Sequence, residues 1–382
     1  VSTNPVIGNP VPIDANETIY RIDIRDYHWD RPIDLQDDGV VDFNDGWLSL
    51  VAAAQPFALE YHGDQADALK ADTQTAVPFM PVNAFVQASQ SGDEYYTLIG
   101  GKALFQDFAE QVLGVDRQAE IAAEQVVRAG FVRYGVSHQE HEVIRFDGQA
   151  GGDRSLWTSS DVDGSYVQGV VKDSIFSNPV NFRNAASEAI FSLPNGMQGY
   201  YVSFGNGSRL NELPLGVVFL PSEGVLTIGA SCQSCHNAGI IGFGDQVRQF
   251  VIDNGFDFDS DTYQQVMDTF PDQSTMQKHI DADSALQVAA MVKAGIPQGT
   301  PDAVSRVFID FQLANMTTAQ VAGELNVTKE LLVQNLQLLD PTLEDLGDTN
   351  VGFVERPALQ NVFLESACVL HAVDLNTPVG CP

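Results

Sequence analysis

Phe191-Ser-Leu-Pro-Asn-Gly-Met-Gln-Gly-Tyr-Tyr-Val-Ser-Phe204 is the stretch that decides how this chain is read. Phe191-Ser-Leu193 runs into Pro194-Asn195-Gly196, a turn signal. Gly199 to Phe204 then alternates and meets Asn206-Gly207, the strongest short hairpin signal. A further strand is expected over Leu215 to Leu220. Upstream, Gly130 to Val171 is rich in Gly and Asp, with short alternating pieces that read as loops and strands. Residues 93 to 127 carry two expected helices broken near Gly114. Apolar residues at helical spacing fill 46 to 60 and 79 to 90, and Tyr20 to Arg25 alternates like a strand. Residues 1 to 16, rich in Pro and Asn, read as an extended lead-in.

Downstream the texture changes. From 244 to 366 apolar residues recur at three and four, with Asp, Ser and Thr placed as caps, so at least five helices are expected. The fold class is therefore α+β. The mixed α/β part, with its β-hairpin, is expected over 1–225, and a mostly helical part over 226–382.

At the junction stands Ser231-Cys232-Gln233-Ser234-Cys235-His236, which contains C-x-x-C-H. Two thiols one helical turn apart can add across the two vinyl groups of a haem, and the next residue, His236, then lies under the iron as its proximal ligand. The composition alone would give roughly 0.0008 such runs in this chain. Ile240, Ile241 and Phe243 supply apolar surface beside it. Three other readings stand next to this one. The first is a thioredoxin-like dithiol, with Thr227-Ile228 as its strand. The second is a zinc site joining Cys232 and Cys235 to Cys368 and His371. The third is a pair of plain structural thiols. For the iron's sixth ligand, Met276 is the first candidate, then Met291 and His279, with an open or water-bound position as the alternative. A core methionine is more often filler than ligand.

Charge bounds the partners. Asp and Glu number 51 against 19 Lys and Arg, for a formal net charge of −32. That field repels phosphate backbones and so excludes nucleic-acid binding. It favours solubility and leaves an acidic face for a cationic redox partner. Hydrophobic residues make up 44% of the chain, enough for a folded core. No apolar run approaches membrane-spanning length. The chain opens at Val1 without an initiator Met, which reads as a cleaved precursor or an excised module.

Two further patterns have blander readings. Asp257, Asp259, Asp261 and Asp268 take calcium-loop positions, but Thr262 stands where the loop wants Gly, and a helix cap is the competing reading. Calcium elsewhere in so acidic a chain stays open. Thr317 to Leu331 has the look of a helix-turn-helix, but the charge favours an ordinary helical hairpin.

The chain resembles a family of large, single-haem c-type cytochrome proteins of the bacterial periplasm or exterior. The likeness rests on Tyr20-Arg-Ile-Asp-Ile-Arg-Asp-Tyr27, Arg128-Ala-Gly-Phe131, Gly135-Val-Ser137, Phe191 to Gly196, Gln198-Gly-Tyr200, Ala230 to His236 and the helical tail through Tyr263 to Gly295. It implies one covalent haem, one-electron transfer as the function, and a periplasmic or extracellular location. Similar modules occur beside carbohydrate-binding domains, which implies redox chemistry near polysaccharide through those neighbours. A peroxidase-like haem enzyme with an open distal site is the alternative. An oxidising compartment further implies that Cys368 and Cys381 form a disulfide, closing a loop of 14 residues and contributing roughly 3 kcal/mol.

Overall fold

The computed structural model describes residues 11–27, 29–58, 63–74, 80–90, 92–132, 140–147, 155–162, 174–182, 184–213, 226–348 and 352–376. The chain divides into two compact units, Val1–Ala53 with Ala88–Ser305, and Ala54–Gln87 with Arg306–Pro382. This division differs from the expected one at 225/226: the cysteine motif and the helices up to Ser305 share a unit with the sheet.

The first unit is built on a five-stranded antiparallel meander in chain order, β1 (Val126–Val132), β2 (Glu140–Phe146), β3 (Leu156–Val162), β4 (Asn184–Ser192) and β5 (Gln198–Phe204). The β4–β5 hairpin is the one that Pro194-Asn195-Gly196 signals. Leu193 N–H donates to Met197 O at 2.7 Å, and Gly196 takes φ +87°, which a residue with a Cβ rarely adopts. Asn206-Gly207 also turns the chain, with Phe204 N–H donating to Ser208 O, but Ser208 and Arg209 pair only as isolated bridges and Glu212–Leu213 pairs instead with Leu226–Thr227. The expected strand at Leu215–Leu220 lies outside the described residues. Tyr20–Arg25 is a strand only over Tyr20–Arg21, because a 3-10 turn follows at Ile24–Tyr27. The break near Gly114 is present, whereas Val126 and Val127, inside the expected helical stretch, begin β1.

Both faces of the sheet are covered, so β2 is buried almost throughout. One face carries Ile144, Phe146, Leu156, Ala189, Phe191 and Tyr201, packed against Tyr96, Phe105, Phe108 and Leu113. Phe108 stacks on Tyr201 and meets Phe191 edge-on, arrangements that suit aromatic quadrupoles. Tyr95 and Tyr96 belong to a helix that lies after α1 (Gly46–Ala53), namely α2 (Gly92–Ile99). The opposite face carries Ala129, Phe131, Val143 and Trp157. Against these pack Ile240, Phe243, and Met276 and Ile280 from a 21-residue helix.

After the sheet come α3 (Ile228–Cys235), α4 (Val247–Asp253), α5 (Ser260–Thr269) and that long helix, α6 (Gln273–Lys293). Its buried residues Met276, Ile280, Asp283, Gln287 and Met291 recur at three and four, one helical face turned inward. Asp259 accepts the Thr262 N–H at 2.7 Å as the N-cap of α5, so the 257–261 carboxylates start a helix. Among the described residues no group of three or more His, Cys, Asp or Glu is placed to hold a metal ion, and no helix is long and apolar enough to cross a membrane.

The second unit includes α7 (Thr318–Glu324), α8 (Lys329–Gln334) and α9 (Arg356–Asp374). Thr317 and Gln320 form a reciprocal capping box at the start of α7. Met316, Val321, Leu325, Leu332, Leu343, Leu346, Leu359 and Leu370 make its core. Arg356 clamps Glu324 with two hydrogen bonds of 2.8 and 2.7 Å and lies over the Phe311 ring at 3.5 Å.

Candidate functional site

The site begins with α3. Cys232 and Cys235 stand three residues apart on it and so share a side. Gly229 lets the helix start close to α2, since a Cβ there would come within 2.7 Å of the Tyr95 ring. His236 caps the C-terminus, its backbone N–H donating to Cys232 O at 2.9 Å. Its Nδ1 lies 3.1 Å from Gly239 O. A carbonyl only accepts, so Nδ1 carries the proton and the Nε2 lone pair is left for another partner. Burial pushes the imidazole below its ordinary value, with the Gly239 hydrogen bond opposing, so the ring is neutral at pH 7, the form that ligates a metal.

The chain after His236 is held along α6. Ile240 N–H donates to Ser284 Oγ at 2.9 Å, and Gln273 at the other end donates to Phe243 O at 2.8 Å. The segment then lands on β1, where Asp245 accepts the Gly130 N–H at 2.8 Å. Gly239 makes this path fit: its φ is +109°, and a Cβ there would lie 2.4 Å from Ser284 Cβ.

A buried polar chain braces the motif from behind. The Tyr200 ring lies 6.0 Å from that of His236, and its hydroxyl donates to Gln233 Oε1 at 3.0 Å. Gln233, between the two cysteines, donates to Asp302 Oδ2 at 3.2 Å. Asp302 in turn accepts the Ser305 N–H at 3.0 Å at the start of a short helix, Ala303–Val307. None of Tyr200, Gln233 and Asp302 stands out in the sequence as a site residue; only the place of Gln233 inside C-x-x-C-H pointed to it.

Met276 lies in the cluster of Phe131, Val143, Trp157, Ile280, Ile240 and Phe243 and is 1% exposed. It packs on the same sheet face that presents Tyr200 to His236, because Val143, Trp157, Ile190 and Tyr200 fall in register on one side. Met291 is buried too, but its sulfur accepts from Gln287 Nε2 at 3.4 Å. His279 is half-buried, and burial together with Arg145 lowers its basicity. His371, the zinc candidate, places Nε2 3.0 Å from Leu325 O. Its companion Cys368 is not a free thiol, and Cys381 lies outside the described residues.

The donor set fits a covalently attached haem. Both thiols of α3 are free, Cys235 is exposed, and Cys232 keeps accessible surface although burial raises its thiol well above the ordinary value. Two free thiols on one helix side, followed by an imidazole with a free Nε2, match the chemistry of thioether attachment and axial ligation. A thioredoxin-like dithiol wants a lowered thiol, opposite to the direction at Cys232. Comparison with protein-family models, with curated proteins and with solved structures gives no match.

Proposed function

We propose that this chain is a c-type cytochrome that carries one electron on a single haem bound through Cys232 and Cys235, with His236 as proximal ligand. The observation that carries the reading is the 3.1 Å contact of His236 Nδ1 with Gly239 O. That hydrogen bond puts the proton on Nδ1 and leaves Nε2 for another partner, at the end of the helix that carries both thiols. When bound, the haem iron alternates between ferric and ferrous states and so accepts and releases one electron. The chain's own part is to anchor, and to orient the imidazole through Gly239 and Tyr200.

Met276 is the proposed sixth ligand, because it stands on the sheet face that also supports His236. Met276→Ala should convert a low-spin ferric spectrum to high-spin. A wild-type spectrum already high-spin would favour the peroxidase-like reading. The location follows as periplasmic or extracellular, where haem attachment and a Cys368–Cys381 disulfide are both at home. Intact mass after alkylation without reductant checks that bridge: two labelled C-terminal thiols would exclude it. The partner is a redox protein, with the acidic charge suiting a cationic one, and polysaccharide enters only through neighbouring modules.

The test of the function is haem retention under denaturation. Wild-type protein matured with a periplasmic haem-attachment system should carry haem through denaturing electrophoresis, and Cys232→Ala/Cys235→Ala should not. Retention by the double variant would overturn the proposal.

A further inference from the structure

The sheet face behind the motif holds one carboxyl that nothing in the site yet uses. Strand register sets out this face in three rows. Arg145, Trp157, Ile190 and Tyr200 form one. Val143, Ser159, Glu188 and Val202 form the next. His141, Asp161, Ala186 and Phe204 form the third. Glu188 is thus the acid in the middle row, opposite Ser159 on one side and Val202 on the other. Its neighbours across the face are the residues that meet the motif: Tyr200 touches His236, and Trp157 meets Phe243.

Glu188 differs from every other acid near the site. Asp283 is bonded by Arg145 and Trp157, and Asp302 by Gln233 and Ser305. The Glu188 carboxyl makes no hydrogen bond with a described residue and keeps accessible surface, although it lies deep in the protein. Cys232 is likewise deep yet partly accessible, and is close enough for the Glu188 charge to raise its thiol further. A deep acid and a deep thiol, each partly accessible and each within reach of the other's charge, thus stand together beside the motif.

We propose that Glu188 is the redox-linked proton site beside the motif, taking up one proton from water for each electron that enters. The inference rests on the haem reading above. The step balances: an external one-electron donor supplies the electron, ferric iron becomes ferrous, the carboxylate gains a proton from bulk water, and no other bond forms or breaks. The cause is charge. Reduction would remove one positive charge from the haem site, so a carboxylate beside it would lose the partner that held it ionised. The charged groups facing Glu188 are the His141–Asp161 pair, 2.8 Å apart on its own face, the Arg145–Asp283 pair in the neighbouring row, and Cys232 from α3. Burial, and Asp161 after it, push Glu188 up to about 7, with His141 opposing, which puts its proton exchange in the neutral range.

The experiment is the midpoint potential of the haem-loaded protein from pH 5 to 9, for wild type and Glu188→Gln, with haem per chain measured in each. Wild type should become harder to reduce as pH rises through neutrality. The reduction equilibrium should change by up to tenfold per pH unit, about 59 mV for one electron. Glu188→Gln should abolish that dependence at equal haem content. A dependence that persists in the variant overturns the proposal, as does a flat wild-type profile. If the variant does not mature, redox-difference infrared spectra of the wild type decide. A carboxylic C=O band gained on reduction near pH 7 supports Glu188, and its absence overturns it. Wild type without covalent haem would instead defeat the functional reading, a distinguishable failure.

Discussion

At Gly239 a single hydrogen atom separates a working motif from a blocked one. The residue has φ +109°, and an added Cβ would meet Ser284 at 2.4 Å while its carbonyl still has to reach His236 Nδ1. Gly239→Ala should therefore cost about 2–6 kcal/mol, the sum of left-handed strain and overpacking. It should also lower haem loading, because the imidazole loses its orienting acceptor. Thermal melts and haem per chain measure both, and a variant with wild-type values would show that the Gly239 contact does not position His236. Residues of this kind divide by how they were legible. Cys232, Cys235 and His236 announce themselves because their chemistry needs fixed spacing along the chain. Tyr200, Asp302 and Glu188 come to the site through strand register and helix packing, over sequence separations that no local pattern records.

At the scale of elements, α6 decides where the motif can lie. Asp283 accepts hydrogen bonds from Arg145 Nε and Trp157 Nε1, both 2.8 Å, and so ties the helix to β2 and β3 in a buried setting. Removing one partner of such a group strands the other: among the described residues, Asp283→Ala leaves the buried Arg145 with Asp147 as its acidic partner. The expected loss is about 3–5 kcal/mol, read by chemical denaturation. A loss under ~1 kcal/mol would mean that α6 is held by its apolar stripe alone. The helices after residue 244 were legible because caps and apolar spacing agree locally, as at Asp259 and Asp272, each bonded to an N–H three residues on. The hairpin at Pro194-Asn195-Gly196 was legible for the same reason. The central strands were not: β2 is buried on both faces, so Glu140 to Phe146 gives no alternation between wet and dry sides. Nor could the sequence show that Tyr20–Arg25 would end in a 3-10 turn after two paired residues.

At the scale of the whole molecule, charge governs encounters. With a net −32, cationic electron donors are drawn in and anionic ones repelled. Reduction by a cationic metal complex should slow as salt rises towards 0.15 M, where the screening length falls to about 8 Å, and reduction by an anionic complex should quicken. Stopped-flow rates check this, and equal salt slopes for both reagents would show that the acidic surface does not reach the site. All of it presupposes one covalent haem per chain, and the most direct measurement is intact mass under denaturing conditions after maturation in a periplasm. The account predicts a wild-type chain heavier than its sequence by one haem, a Cys232→Ala/Cys235→Ala chain at its bare sequence mass, and a wild-type pyridine haemochrome spectrum of the two-thioether type. A wild-type chain at its bare sequence mass, with both motif thiols open to alkylation, would contradict it.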